Sequence, residues 1–326
     1  MSLQVVMDLG SRRVVFAVIA IVLVVGAAVA YVTTVVRGAS PAPVAAAGQV
    51  DLMFVELADG RSRVEQVKRA EPDARSGTDL TCQRVYQAAG TRVCLKLAGP
   101  GPTYAAEVTR DGAVVKTVPL PGIPSRAKVS ASGQIVSWTS FVTGDSYSVP
   151  GGFSTRTGYF DLRSGAAVES LEHFAATVEG APLTAQDVNY WGLTVANDDR
   201  TFYATLASGG YTWLVKGDLV EKKVTSLRKD AECPSLSPDG TKVAYKKRIG
   251  RLGPWDLAVL DLATGEERRL PGTAGVDDQA TWLDADTVAF AAVPRDAKLA
   301  AIHTAPVDGS ADAKVLIKDA TSPSPV

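Results

Sequence analysis

Three cysteines, two histidines, a set of aspartates and one run of basic residues are the groups in this chain with chemistry to offer. Cys82 and Cys94 bracket a stretch that reads as a hairpin, its strands pairing around Gln87 to Gly90. They either form a cross-strand disulfide in an oxidising compartment or remain two buried thiols, and the bridge is the expectation. Closing a loop of about a dozen residues would stabilise the fold by roughly 3 kcal/mol on chain-entropy grounds. Cys233 is left over and reads as a buried core thiol. His173 and His303 stand far apart in sequence, whereas a zinc site wants three or four ligands in a recognisable spacing. His303 sits in an alternating strand (Ala301-Ile302-His303-Thr304), which suits a structural histidine. No G-x-S-x-G elbow is present to support a serine nucleophile. Asp277, Asp278, Asp284 and Asp286 lack the third ligand and following glycine of a calcium loop, so they read as turn and loop carboxylates. Lys246, Lys247, Arg248 and Arg251 form the densest basic cluster. They are expected at a hairpin tip, either simply solvated or touching anionic lipid headgroups or an acidic envelope polymer. No catalytic residue, metal or cofactor is expected from these patterns.

The elements that would position these groups are short strands. Cys233 to Pro271 parses as four of them: Ser235-Leu236, Lys242 to Tyr245, Leu257 to Leu260, and Arg268 to Leu270. Ser237-Pro238-Asp239-Gly240 closes the first hairpin. Proline pre-sets φ, aspartate bonds its own backbone and glycine accepts positive φ. The pattern repeats. Val129 to Trp138 lies over Leu236 to Tyr245 without a gap, and Tyr159 to Gly165 lies over Val259 to Gly265. Val195 to Ala204, Gly90 to Leu95 and Trp282 to Phe290 supply further copies, with Val288 set 45 residues after Val243. That is a propeller-blade period. Five units can be drawn, starting near Thr81, Ser125, Tyr190, Glu232 and Gln279.

The fourth unit resembles the TolB-like β-propeller repeat, whose hallmark is an SPDG turn, an apolar strand and then a strand ending in D-L-x-x-G. The resemblance implies an all-β propeller of five to six four-stranded blades over residues 51–319, and a prior toward protein binding rather than catalysis. Asp51 to Gly60 overlays Asp256 to Gly265, the outer half of a unit, with no inner half before it. Residues 320–326 look too few to supply a missing inner hairpin and are expected as a C-terminal tail. Trp138, Trp191, Trp213, Trp255 and Trp282 should mostly pack between blades, with one or two free to form a platform at a channel mouth.

The N-terminal region is different in kind. After a short tail, residues 1–13, Val14 to Val36 carry no charge over 23 residues. At about 1.5 Å per residue that is roughly 35 Å, enough to cross a bilayer core. The run reads either as a signal peptide cleaved at Ala28-Val29-Ala30 or as an uncleaved transmembrane helix. Its length makes the helix the expectation, with Arg12 and Arg13 against Arg37 favouring a cytoplasmic N-terminus. Residues 37–50 form a Pro/Ala linker. The 34 basic and 35 acidic residues nearly cancel, which argues against nucleic acid as a partner. The expectation is therefore a single-pass plasma-membrane protein whose propeller lies outside the cytoplasm. It would serve as a non-catalytic interaction or sensing module with an envelope protein partner. The alternative is a propeller that binds a small molecule or glycan in its channel, with a hydrolase or lyase a more distant third reading.

Overall fold

The ring is closed by the two ends of the described chain. The computed structural model describes residues 50–99, 101–142, 154–250 and 253–326, together with Gly26. Within 50–326, six sheets, each with an antiparallel four-stranded core, succeed one another as propeller blades, counted here from the innermost strand. Blade 1 comprises Arg84–Ala88, Thr91–Leu97, Tyr104–Arg110 and Ala113–Leu120. Blade 2 comprises Ile123–Val129, Ile135–Val142, Ser154–Asp161 and Ala167–Val168. Blade 3 comprises Asn189–Val195, Thr201–Ser208, Tyr211–Asp218 and Lys223–Lys229. A hairpin of Ala175–Val178 and Ala181–Leu183 widens it, pairing in parallel with the outermost strand. Blade 4 comprises Ala231–Leu236, Lys242–Arg248, Trp255–Asp261 and Glu267–Arg269, and blade 5 Thr281–Trp282, Thr287–Ala292, Ala301–Pro306 and Lys314–Ile317. In blade 6, Ala320–Pro325 is innermost, followed by Leu52–Glu56, Arg63–Lys68 and Glu71–Thr81.

The five repeat units read from sequence correspond to blades 1 to 5. The sixth corrects two expectations. Residues 320–325 are not a tail but a buried strand, and only one strand was needed to complete the blade, not a hairpin. Leu52–Glu56 is accordingly a second strand, whereas the Asp256 to Gly265 segment it overlays is a third. The expected transmembrane helix over 14–36 and its flanks lie outside the described residues. Among the described residues no helix is long and apolar enough to cross a membrane.

Blade faces are apolar and cover one another. Ala244, Leu257 and Val259 of blade 4 pack against Trp282, Val288 and Phe290 of blade 5. Val93, Leu95 and Val108 of blade 1 meet Val136, Trp138 and Phe160 of blade 2. Burial of each of the larger aliphatic side chains stabilises the ring by about 1.5–3 kcal/mol, and the covering surface comes from the neighbouring blade.

The first-hairpin turns add a polar chain from blade to blade. Thr91 Oγ1 of blade 1 donates to the Gly133 carbonyl of blade 2 at 2.8 Å. Ser132 Oγ of blade 2 donates to Asp199 of blade 3 at 2.7 Å. Asn197 Nδ2 of blade 3 donates to the Pro238 carbonyl of blade 4 at 2.9 Å. Gly133 must be glycine here: its φ is +74°, and a Cβ would lie 2.8 Å from Arg110 Nη1.

Candidate functional site

Innermost strands of a propeller present alternate side chains to the central channel, and here several of those side chains are charged. Midway along, the channel is filled. Lys128 Nζ donates to Ser235 Oγ at 3.3 Å, to the Ala280 carbonyl at 3.0 Å and to Thr281 Oγ1 at 3.1 Å. It also sits 4.3 Å from the centre of the Tyr86 ring. Gln279 Nε2 reaches the carbonyls of Gly192 at 3.1 Å and Pro234 at 2.6 Å. The space left among Arg84, Lys128, Asp278 and Gln279 is only about 10 Å³, room for one water at most. Burial pushes the Lys128 ammonium down to about 7, against the pull of Asp278. Burial likewise raises the Tyr86 phenol to about 12.

At one end the plug gives way to a cavity of about 350 Å³ set off toward blades 2, 3 and 4. Its aromatic walls are Phe141, Trp191 and Trp255, and its polar groups include Arg126, Glu232, Lys246 and Asp277. Bulges shape it. The innermost strands of blades 2, 3 and 4 slip register between Pro124 and Arg126, between Trp191 and Thr194, and between Glu232 and Ser235. A bulge re-aims the side chains beside it, and here those are Arg126, Trp191 and Glu232. Two bulge residues, Gly192 and Cys233, have φ of +67° and +50°. They also touch: a Cβ on Gly192 would lie 2.7 Å from Cys233 Cα, so glycine permits the approach of blades 3 and 4.

The cavity charges are layered. Glu232 Oε1 accepts from Arg248 Nη2 at 2.6 Å, Arg248 Nε at 2.9 Å and Trp255 Nε1 at 2.9 Å. Lys246 Nζ donates to Asp277 Oδ1 at 2.8 Å and lies 4.4 Å from the Trp255 ring centre. The Lys246 side chain is 4% exposed and that of Asp277 is 83% exposed, so the carboxylate stands at the mouth above a buried ammonium. Desolvation works against the Asp277 charge, but Lys246, with Arg126 and Arg84 behind it, holds the carboxyl below its ordinary range. Arg126 forms the floor. Its Nη2 donates to the Asp277 carbonyl at 2.6 Å and its Nη1 to the Ser125 carbonyl at 2.9 Å. Its buried Nε makes no hydrogen bond among the described residues and lies 3.7 Å from Asp278.

With this geometry in view, comparison with solved structures assigns the architecture. The chain superposes on TolB from Acinetobacter baumannii with a TM-score of 0.60 at 15% identity, covering 85% of this chain and 66% of that one. The fold is TolB-like. A chain of the nidogen/laminin complex aligns with a TM-score of 0.55 at 8% identity, over 85% of this chain and 98% of that one. A putative TolB from Agrobacterium tumefaciens aligns at 0.49 and 11% identity, over 83% and 90%. No protein-family model matches the sequence, and no curated protein does.

The groups singled out from sequence are dispersed. Cys82 and Cys94 are bridged, with Cα atoms 5.4 Å apart, and Cys233 is a free, buried thiol in the cavity wall. The Ser237-Pro238-Asp239-Gly240 turn forms as expected: Asp239 accepts from Ser237 Oγ and Thr241 Oγ1, and Gly240 has φ of +73°. The basic cluster is a correction. Lys246, Lys247 and Arg248 are strand residues, not a loop tip, and alternate across the strand as its pleat requires. Lys246 pairs with Asp277 and Arg248 with Glu232 on the cavity side, while Lys247 turns to Glu267 at 3.2 Å. Ion pairing, not a lipid-facing tip, accounts for these three. Arg251 lies outside the described residues. His303 stacks on Phe290 with ring centres 5.4 Å apart, its Nδ1 3.0 Å from the Ala301 carbonyl, and burial lowers its pKa. His173 is exposed on a short 3-10 turn, Leu171–His173. Among the described residues no three His, Cys, Asp or Glu side chains gather as a metal site. Trp138, Trp213 and Trp282 pack in the core, while Trp191 and Trp255 line the cavity. Sequence reasoning passed over Arg126 and Lys128. The signal was there: two cations flanking Ala127, on the innermost strand of a blade whose hairpin had been recognised.

Proposed function

We propose that this chain is a membrane-anchored, non-catalytic TolB-like propeller of the cell envelope, displayed outside the cytoplasm as a protein-interaction or sensing module. The observation that carries the reading is the cavity end of the channel, where Phe141, Trp255 and Asp277 surround a concave opening. Aromatic groups beside a charged rim are what binding surfaces use. The Cys82–Cys94 bridge supports an oxidising compartment, and the uncharged run from Val14 to Val36 supports an anchor.

The test is crosslinking in intact cells with the tagged full-length protein. One envelope protein should be captured reproducibly and lost with Trp255→Ala. Failure to capture any partner while the protein is folded and abundant at the membrane would overturn the interaction reading. Protease added outside intact cells should reach residues 50–326; full protection would overturn the placement. The cavity itself favours a second reading, a small ligand at the channel end, because about 350 Å³ falls within the size range of small-molecule sites.

A further inference from the structure

We infer that the channel-end cavity is a binding site for a small aromatic carboxylate, with the ring held between Trp191, Trp255 and Phe141 and the acid group directed to Arg126 and Lys246. The inference deepens the sensing half of the proposed function and rests on this end of the ring being its binding face. It does not depend on a protein partner.

Three features of the cavity select this chemistry. Its size, about 350 Å³, is at the small end for ligand sites and suits a one- or two-ring molecule. Its walls carry three aromatic side chains, Phe141, Trp191 and Trp255, which suit a flat body better than a flexible chain. Its unfilled polar capacity is cationic. Arg126 is about nine-tenths buried, and its Nε–H, 3.7 Å from Asp278, has no hydrogen-bond partner among the described residues, so the guanidinium can take a further acceptor by turning toward the cavity it lines. Lys246 has three N–H donors, of which one is used among the described residues, on Asp277, while the ammonium also lies against the Trp255 ring. The buried acid, Glu232, is by contrast already taken up by Arg248 and Trp255.

The exposed acid, Asp277, sets the terms of entry. It covers Lys246 and must swing aside or share that ammonium when a carboxylate binds. Its side chain is 83% exposed, and its one ion pair among the described residues is with Lys246. A ligand cation would find Asp277 at the rim but Arg126 and Lys246 beneath it, so the depth of the cavity discriminates against amines. A neutral ring would gain the aromatic walls but no ion pair with Arg126 or Lys246.

The experiment is calorimetric titration of the purified full-length protein in detergent with indole-3-carboxylate and benzoate. Their carboxamides and glucuronate serve as comparison compounds. Saturable one-site binding of the aromatic acids is expected, at least tenfold tighter than the amides and tighter than glucuronate. Trp255→Ala and Lys246→Met should each weaken it about tenfold. Arg126→Gln should abolish it. If that variant does not fold, Lys246→Met decides, because it breaks only one pair and leaves Asp277 in solvent. Absence of saturable binding up to about 10 mM would overturn the proposal, since Kd would then lie beyond any specific use of the site. Equal affinity for acid and amide, or binding unchanged in folded Lys246→Met, would overturn it as well. Tighter binding of glucuronate than of benzoate would overturn the aromatic assignment. Loss of partner capture in cells with acid binding intact would sink the interaction reading and leave this one standing.

Discussion

Blades 4 and 6 have the same four-stranded plan, yet they are held by different means. Blade 4 runs from Ala231 to Arg269 without a break in the sequence, and its first hairpin is closed by bonds within six residues. Gly240 N–H reaches the Ser237 carbonyl at 2.9 Å, and Lys242 N–H reaches Ser237 Oγ at 2.9 Å. Blade 6 takes its strands from residues 52–81 and 320–325, so no local turn joins its two inner strands. Its ties are long-range. Ser322 Oγ accepts from Val85 N–H and donates to the Val85 carbonyl, both at 3.0 Å, and Ser324 Oγ accepts from Gln87 N–H at 2.9 Å. The disulfide joins Cys82, just past the outermost strand of blade 6, to Cys94 in the second strand of blade 1. A ring assembled this way is weakest where its closure depends on distant partners, and that place is blade 6.

Removal of residues 320–326 should have the largest effect. It strips the innermost strand, buried from Ala320 through Ser324, and bares the edge of Leu52–Glu56. An expected loss of more than about 5 kcal/mol matches the whole stability of many domains. The truncated protein should bind hydrophobic dye and lose its cooperative thermal transition. A peptide of residues 318–326, added in excess, should restore part of that transition by strand addition. A truncated ring that melts as the full chain does would show that closure does not depend on the C-terminal strand.

Reduction of the Cys82–Cys94 bridge, or the double substitution Cys82→Ala with Cys94→Ala, should cost about 3 kcal/mol for a loop of this length. The loss should be local before it is global. Amide exchange in Arg63–Lys68 and Glu71–Thr81 should accelerate in the reduced protein, with little change in Lys242–Arg248. Uniform acceleration in both blades would show that the bridge acts on the ring as a whole.

The same contrast explains what could be read from the sequence. Blades 1 to 5 were legible because each first hairpin repeats a local pattern, turn residues between short apolar runs. Ala320–Pro325 was illegible because Thr321-Ser322-Pro323-Ser324-Pro325 has the composition of a tail. An innermost strand leaves one edge to the channel, so prolines that lack a donor are tolerated there. Leu52–Glu56 was assigned to the wrong strand position because second and third strands are both buried on both faces, and local pattern does not distinguish them. The cavity was illegible for a further reason. Arg126, Trp191 and Glu232 come from separate blades and stand beside bulges, which a repeat alignment does not register, and Asp277 lies on the connection ahead of blade 5. Lys246-Lys247-Arg248 misled because three consecutive charges normally mean solvent, and their carboxylate partners lie on other strands and connections.

Lys128 links blades 4 and 6. It bonds to Ser235 of blade 4 and to Thr281, whose Oγ1 donates to the Pro323 carbonyl of the closing strand at 3.0 Å. Its folded pKa of about 7 lies below the 10.5 of the free side chain. Between those values the unfolded chain holds the proton and the folded chain does not, so stability rises with pH across that window. Each pH unit there is worth up to about 1.4 kcal/mol. From pH 7 to 9 the stability of the native protein should therefore rise by about 2 kcal/mol relative to Lys128→Met, in matched urea titrations. A constant difference would mean that Lys128 stays charged in the channel.

Asp239→Ala should have the smallest effect and the most local one. The carboxylate accepts from Ser237 Oγ, from Thr241 N–H at 3.1 Å and from Thr241 Oγ1 at 2.8 Å, and these bonds hold its pKa at about 2. The site is exposed, so water competes for each bond and the net loss at pH 7 should be about 1 kcal/mol or less. The sign follows from the depressed pKa: the contribution is complete above the unfolded value of 3.8 and is lost as pH falls through about 2. The gap between native protein and variant should thus be constant from pH 7 to 5 and narrow by pH 3. Amide exchange should quicken in the turn and in the adjoining ends of Ala231–Leu236 and Lys242–Arg248, and remain unchanged in blade 6. If blade 6 also loosened, the turn-to-turn chain through Asn197 and Pro238 would be carrying strain around the ring, and blade 4 could no longer be regarded as locally held.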